Sequence, residues 1–131
     1  GRAVLWRDTL GLIRAFPFFG CGLGGYESAF PKYKVSGPLV SDDHAHNDYL
    51  QLLAEMGVVG VAILLVLGGT TLRAAFRGVF SASDSGVWSL ALACTGSLSA
   101  ILLHSTADFN LYIPANAMVV SWIAAMATAL H

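Results

Sequence analysis

From Gly57 through Leu72 no charged side chain interrupts a run dominated by Val, Ile, Leu and Gly. Crossing about 30 Å of hydrocarbon takes about 20 mostly apolar residues in a helix, and this run nearly fills that requirement before Arg73 and Arg77 end it. Two further stretches come close: Gly86 to His104, uncharged but rich in Ser, Thr and Gly, and Leu111 to Leu130. The small residues of the second stretch favour close helix packing inside a bundle over exposure to lipid. In the third, Pro114 and Asn116 fall in the first turns, where a missing donor or an extra polar group is tolerated most easily. Composition agrees, with 56% hydrophobic and 11% charged residues, far from the soluble average. The expected fold is all-α: a fragment of a polytopic membrane protein with about three transmembrane helices, near 57–72, 86–104 and 111–130, preceded by an extramembrane loop over 1–56. The opening Gly1-Arg2 reads as the interior of a longer chain, with no signal peptide in view.

The formal net charge of -1 excludes nucleic acid as a partner, because that binding needs a concentrated basic surface to displace counterions. Of the two cysteines, Cys94 lies mid-way along an apolar stretch and Cys21 in a glycine-rich loop, so no disulfide is expected and Cys94 reads as a small packing residue. Orientation follows from Arg73 and Arg77, expected in a short cytoplasmic loop, while residues 35 to 57 hold no Lys or Arg. Most of the remaining Lys and Arg precede the first span, in a loop long enough to translocate regardless of charge. Residues 1–56 and the turn from His104 to Asn110 then share the outer face.

Within the outer region Arg2, Trp6, Thr9 and Ile13 recur at helical spacing and Arg7, Gly11 and Arg14 form a second stripe, which predicts an amphipathic helix. It should stop at Phe16, the residue before Pro17. Gly20, Gly22, Gly24 and Gly25 follow as a loop, read as a simple turn, since no strand precedes it as a phosphate cradle requires. Tyr26, Phe30 and Tyr33, with Lys32 and Lys34, suit a belt resting at headgroup level. A further helix is expected from about Ala45, with Asp42 or Asp43 as its N-cap.

The segment Asp42-Asp43-His44-Ala45-His46-Asn47-Asp48 is the place to look for chemistry. An imidazole can take a proton from a hydroxyl near neutral pH without metal, which singles out His46; the bland alternative is a solvated surface histidine. Asp42, Asp43 or Asp48 could orient its ring, and spacing does not say which. His44 and His46 would converge on a metal only in extended backbone, whereas on a helix they point roughly 200° apart, so no metal is expected. Arg2, Arg7 and Arg14 are candidates for a phosphate or pyrophosphate, because a guanidinium donates paired hydrogen bonds; headgroup contact is the preferred reading of Arg7 and Arg14. His104, Asp108, Asn110 and Asn116 could line a cavity at the boundary or simply be solvated there. Glu55, nine residues beyond His46, would fall on the opposite helical face and is left out of the site.

The run from His46 through Asn47, Asp48, Tyr49, Leu50 and Gln51 to Glu55, Met56, Gly57 and Gly60 resembles the signature of the O-antigen ligase and polymerase superfamily. Upstream, Gly1-Arg2, Trp6, Pro17, Gly20, Gly22, Gly24 and Tyr26 are similar to the start of that family's large periplasmic loop. Downstream, His104, Asp108-Phe109-Asn110-Leu111 and Pro114-Ala115-Asn116 are similar to a block found in many bacterial members. The resemblance covers nearly the whole chain but only the C-terminal part of the family's fold. It implies an inverting, metal-independent glycosyltransferase of the bacterial inner membrane, without cofactor, acting at the periplasmic face. Such an enzyme moves a glycan from a polyprenyl pyrophosphate donor to a hydroxyl of a glycan, a lipid A core or a protein. His46 would then be the general base and Arg2 the pyrophosphate binder, with Arg7, Asn47, Tyr49, His104 and Asp108 expected to contact substrate. Other readings are a permease, whose key polar groups should sit mid-membrane although here they gather at one edge, and a scaffold of a polysaccharide-export complex, in which His46 and Arg2 would be replaceable.

Overall fold

The computed structural model describes residues 2–35 and 44–130; the expected caps Asp42 and Asp43 lie outside them. Among the described residues every regular element is helical: α1 (Arg2–Ala15), α2 (Tyr26–Ala29), a 3-10 turn (Phe30–Lys32), α3 (Asp48–Ser81), α4 (Ser85–His104), a second 3-10 turn (Asn110–Tyr112) and α5 (Pro114–Ala129). The chain divides into two units, residues 1–64 with 105–109, and residues 65–104 with 110–131.

In the first unit α1 ends where Pro17 forbids a further helical residue, with the Phe16 N–H still shared between the carbonyls of Leu12 and Ile13 at 3.2 Å each. The predicted stripe does face inward: Trp6 and Thr9 contact other segments and Ile13 packs against the core, while Leu5 and Leu12 complete the buried face. Burial decides against the aromatic belt. Tyr26 and Phe30 are each only 1% exposed and stack on one another at 4.8 Å. The Tyr26 hydroxyl lies 2.7 Å from that of Thr9. These two rings are the largest fully buried side chains among the described residues and form the centre of this core with Leu5 and Leu12 of α1.

Helix α3 begins at Asp48, later than the predicted Ala45, and bends at Gly57, where φ is 65° and ψ is -174°. A bend frees the carbonyls before it and the N–H groups after it, and the loop that follows α1 takes up both sets. The N–H groups of Cys21 and Gly22 donate to the carbonyls of Ala54 and Glu55, each at 2.9 Å. Beyond the bend, the N–H groups of Val58 and Val59 donate to the carbonyls of Pro17 and Phe18 at 2.9 and 3.1 Å. Gly57 and Gly20 are glycines for this reason: a Cβ on Gly57 would stand 2.3 Å from the Phe18 carbonyl, and one on Gly20, where φ is 70°, 2.2 Å from that of Glu55.

Past the bend α3 carries Arg73 and Arg77 on the helix itself and runs on to Ser81, so the predicted loop shrinks to the residues between Ser81 and Ser85. Helix formation overrides the charge signal here because both residues have good helix propensity. Ile63, Leu65, Val66 and Leu67 are each more than half exposed, an apolar surface that belongs in lipid. Helices α3 and α4 are both long and apolar enough to cross a membrane, and α5 is a shorter apolar helix of 16 residues. Pro114 opens it at N1, the position where its missing N–H costs nothing.

The second unit packs on small residues. Ala91, Cys94, Thr95 and Leu98 form the buried stripe of α4, and Cys94 and Leu98 cluster with Ala75 and Ala127; of the Ser, Thr and Gly residues expected to pack, only Thr95 is buried, while Ser89, Gly96 and Ser97 are exposed. Cys94 is 2% exposed, and both cysteines are free thiols.

Candidate active site

Residues 44–47 do not join the helix. His46 has φ 50°, a left-handed conformation costing a non-glycine residue about 1–3 kcal/mol, and the segments around it hold it there. Ala45, fully buried, is pinned at both backbone groups: its N–H donates to Gln51 Oε1 at 3.0 Å and its carbonyl accepts the indole N–H of Trp6 at 3.0 Å. On the other side Asn47 is the true N-cap of α3. Its Oδ1 accepts the Leu50 N–H at 3.1 Å while its Nδ2 donates to the Thr106 carbonyl at 2.9 Å. The Asp48 N–H is shared between the carbonyls of Ser105 and Asp108 at 3.0 and 3.1 Å. His46 keeps its left-handed backbone between neighbours tied to α1, to α3 and to residues 105–109.

This brings together the two polar clusters that the sequence places far apart. His46 Nδ1 lies 3.6 Å from Asp108 Oδ1, both side chains being 41% exposed. Among the described residues the carboxylate beside the imidazole is that of Asp108, from the turn before α5; Asp42 and Asp43 lie outside the described residues. Phe109 seats both histidines, stacked against His44 at 4.5 Å and edge-on to His46 at 5.0 Å. Among the described residues no three His, Cys, Asp or Glu side chains cluster as metal ligands.

Arg2 stands one turn before Trp6 on α1, and residues four apart share a helix face. The indole of Trp6 is bonded to Ala45, and Arg2 itself is exposed. Arg7 lies on the outer side, its Nε 3.8 Å from Asp8 Oδ1; the buried Asp8 in turn accepts the Val35 N–H at 3.2 Å. Tyr49 is exposed on the first turn of α3. His104 belongs to the second unit, where it shares a cavity of about 400 Å³ with Asn116, Ser97 and Ile123.

Sequence reasoning missed three supports. Gln51 holds Ala45 through Oε1 and lies 3.1 Å from His44 Nδ1 through Nε2. Glu55, 1% exposed, accepts the Gly24 N–H at 3.0 Å and the Tyr26 N–H at 3.3 Å, with Gln51 Nε2 at 3.5 Å. It clasps the glycine loop rather than facing away. Trp6 supplies the third tie. The signal was available for two of them: Asp48, Gln51 and Glu55 recur at i, i+3 and i+7 on one face of an otherwise apolar helix. Burial pushes the Cys21 thiol up, and the Glu55 carboxylate adds to the effect, which leaves this cysteine a poor nucleophile.

Comparison with curated proteins and with solved structures gives no match. A family model described as O-antigen ligase matches residues 1–65, a span that takes in α1, the glycine loop, the histidine loop and the bend of α3. Its activity is of the glycosyltransferase type in a membrane setting. Residues 1–65, which carry His44 and His46 with their supports from α1 and α3, are thus similar to the O-antigen ligase family.

Proposed function

We propose that the protein transfers a glycan from a polyprenyl pyrophosphate donor to an acceptor hydroxyl at the periplasmic face of a bacterial inner membrane, with His46 as general base and Arg2 as the cation that meets the pyrophosphate. The observation that carries this reading is the strained, exposed His46 held beside Asp108. A carboxylate on the Nδ1 side of the ring favours the tautomer with the proton there, which leaves Nε2 as the acceptor in the proposed reaction. The hydroxyl oxygen attacks the anomeric carbon and its proton passes to Nε2. The bond from that carbon to the pyrophosphate oxygen breaks, and the electron pair leaves with the polyprenyl pyrophosphate. Attack from the face opposite the leaving group inverts the anomeric centre. Charge grows on the departing oxygen, where a guanidinium stabilises the transition state more than the ground state. No step calls for a metal.

In this reading Asp108 has an orienting role, and the exposed Tyr49 and Arg7 are available to a passing glycan or headgroup. Asn47, whose amide is engaged at both ends, shapes the loop. The test is to supply the full-length protein in vesicles with a defined polyprenyl pyrophosphate glycan and candidate acceptors, with and without a chelator. Transfer that survives the chelator supports the proposal; release of polyprenyl pyrophosphate without any glycosylated product, or transfer abolished by the chelator, contradicts it.

A further inference from the structure

We infer that the segment from Phe16 to Leu23 is inserted into the bilayer, with Phe18, Phe19 and Leu23 sunk at the boundary between headgroups and acyl chains. These three side chains are 67%, 76% and 73% exposed, while the aromatics expected to form a belt, Tyr26 and Phe30, are buried. No charged residue occurs between Arg14 and Glu27.

Depth is fixed by the backbone. The carbonyls of Pro17 and Phe18 accept the N–H groups of Val58 and Val59, the first residues of α3 beyond the bend. The loop therefore lies at the level where the spanning part of α3 starts, and its exposed rings continue the apolar surface of Val58, Val59 and Ile63. Irregular backbone at such a level is tolerated only where its polar groups are satisfied. Much of that requirement is met on the side facing α3: the N–H groups of Gly20, Cys21 and Gly22 donate to the carbonyls of Phe16, Ala54 and Glu55, those of Phe16, Pro17 and Phe18 all accept, and Pro17 brings no N–H. A loop at the boundary between headgroups and acyl chains leaves its remaining groups to headgroups and water. Lipid is the occupant these observations select, because the patch is continuous with a lipid-facing helix. The inference stands apart from the transferase reading and would hold for any chemistry at His46.

The experiment places a nitroxide at position 19 (Phe19→Cys, in a full-length background with Cys21→Ala, Cys94→Ala and any other cysteine replaced). The protein is reconstituted in vesicles of phosphatidylethanolamine and phosphatidylglycerol, and collisions with oxygen and with a water-soluble nickel chelate are compared. Leu65→Cys on α3 and Glu27→Cys on α2 supply the lipid and water references, and Phe18→Cys repeats the measurement one residue away. The expected result is several-fold more oxygen than nickel accessibility at positions 18 and 19, with a depth between the two references. Nickel accessibility equal to that at position 27 would overturn the inference, and so would shielding from both reagents, which would mean that protein covers the loop.

Discussion

Replacing Gly57 by alanine isolates the bend on which the site is built. The backbone there, at φ 65° and ψ -174°, lies in a region open essentially to glycine alone, and strain of this kind costs about 1–3 kcal/mol. The new methyl would also stand 2.3 Å from the Phe18 carbonyl and 2.5 Å from the Phe19 nitrogen, both backbone atoms, so the loop must move. Movement breaks the bonds from Val58 and Val59 to Pro17 and Phe18, each worth about 0.5–1.5 kcal/mol net. The expected loss is roughly 2–6 kcal/mol, large against a total stability of about 5–15 kcal/mol. Gly68→Ala is the matched control: it sits on the same helix with nothing within 4 Å of the added methyl, and such a change stabilises a helix interior by about 0.5–1 kcal/mol. The assay is the thermal unfolding midpoint of the full-length protein in detergent, read with glycan transfer. A clear drop for Gly57→Ala with none for Gly68→Ala is expected; equal midpoints would refute the clasp between loop and helix.

Other consequences follow from the same geometry. Gln51→Ala leaves the buried Ala45 N–H without its acceptor, a cost of about 1–3 kcal/mol, and should lower kcat for transfer with little change in KM for the donor; an unchanged kcat would show that His46 is held without Gln51. Arg2→Ala should raise KM for the donor and lower kcat, and Arg2→Lys should recover part of the loss, since the charge returns without the paired donors; full activity of Arg2→Ala would remove the pyrophosphate role. Because burial and Glu55 hold the Cys21 thiol above its ordinary range, the reactive thiolate appears only at higher pH. Alkylation at neutral pH should therefore lag behind that of free cysteine and quicken in Glu55→Gln, and reaction at the free-cysteine rate would contradict the packing described.

Much of the architecture is legible in the sequence because it depends on local rules. Pro17 ends α1 and Pro114 falls in the first turn of α5, whereas the stripe of α4 that packs is Ala91, Cys94, Thr95 and Leu98, not its Ser and Gly residues. Membrane sidedness gives only the expectation that the outer loop and the turn before α5 share one face; the contacts from His44, His46 and Asn47 to residues 106–109 go beyond it. What the sequence conceals is whatever long-range partners decide. The left-handed His46 depends on hydrogen bonds to residues up to 59 positions away, and no local propensity foretells it. The same holds for Tyr26 and Phe30, whose composition suits a headgroup belt until α1 is seen to lie across them. Arg73 and Arg77 look like a loop only if charge is taken to end a helix, which it need not do near a membrane boundary.

The central claim is that His46 takes the proton of the acceptor hydroxyl, and the measurement that bears on it most directly is the single-turnover rate of glycan transfer by His46→Ala. The protein should be full-length, with insertion and folding verified and saturating polyprenyl pyrophosphate donor supplied. A positioned general base contributes about 10²–10⁴-fold, so the rate should fall by at least two orders of magnitude while donor binding is retained. Transfer at a rate within a few-fold of the unaltered protein would show that the proton goes elsewhere.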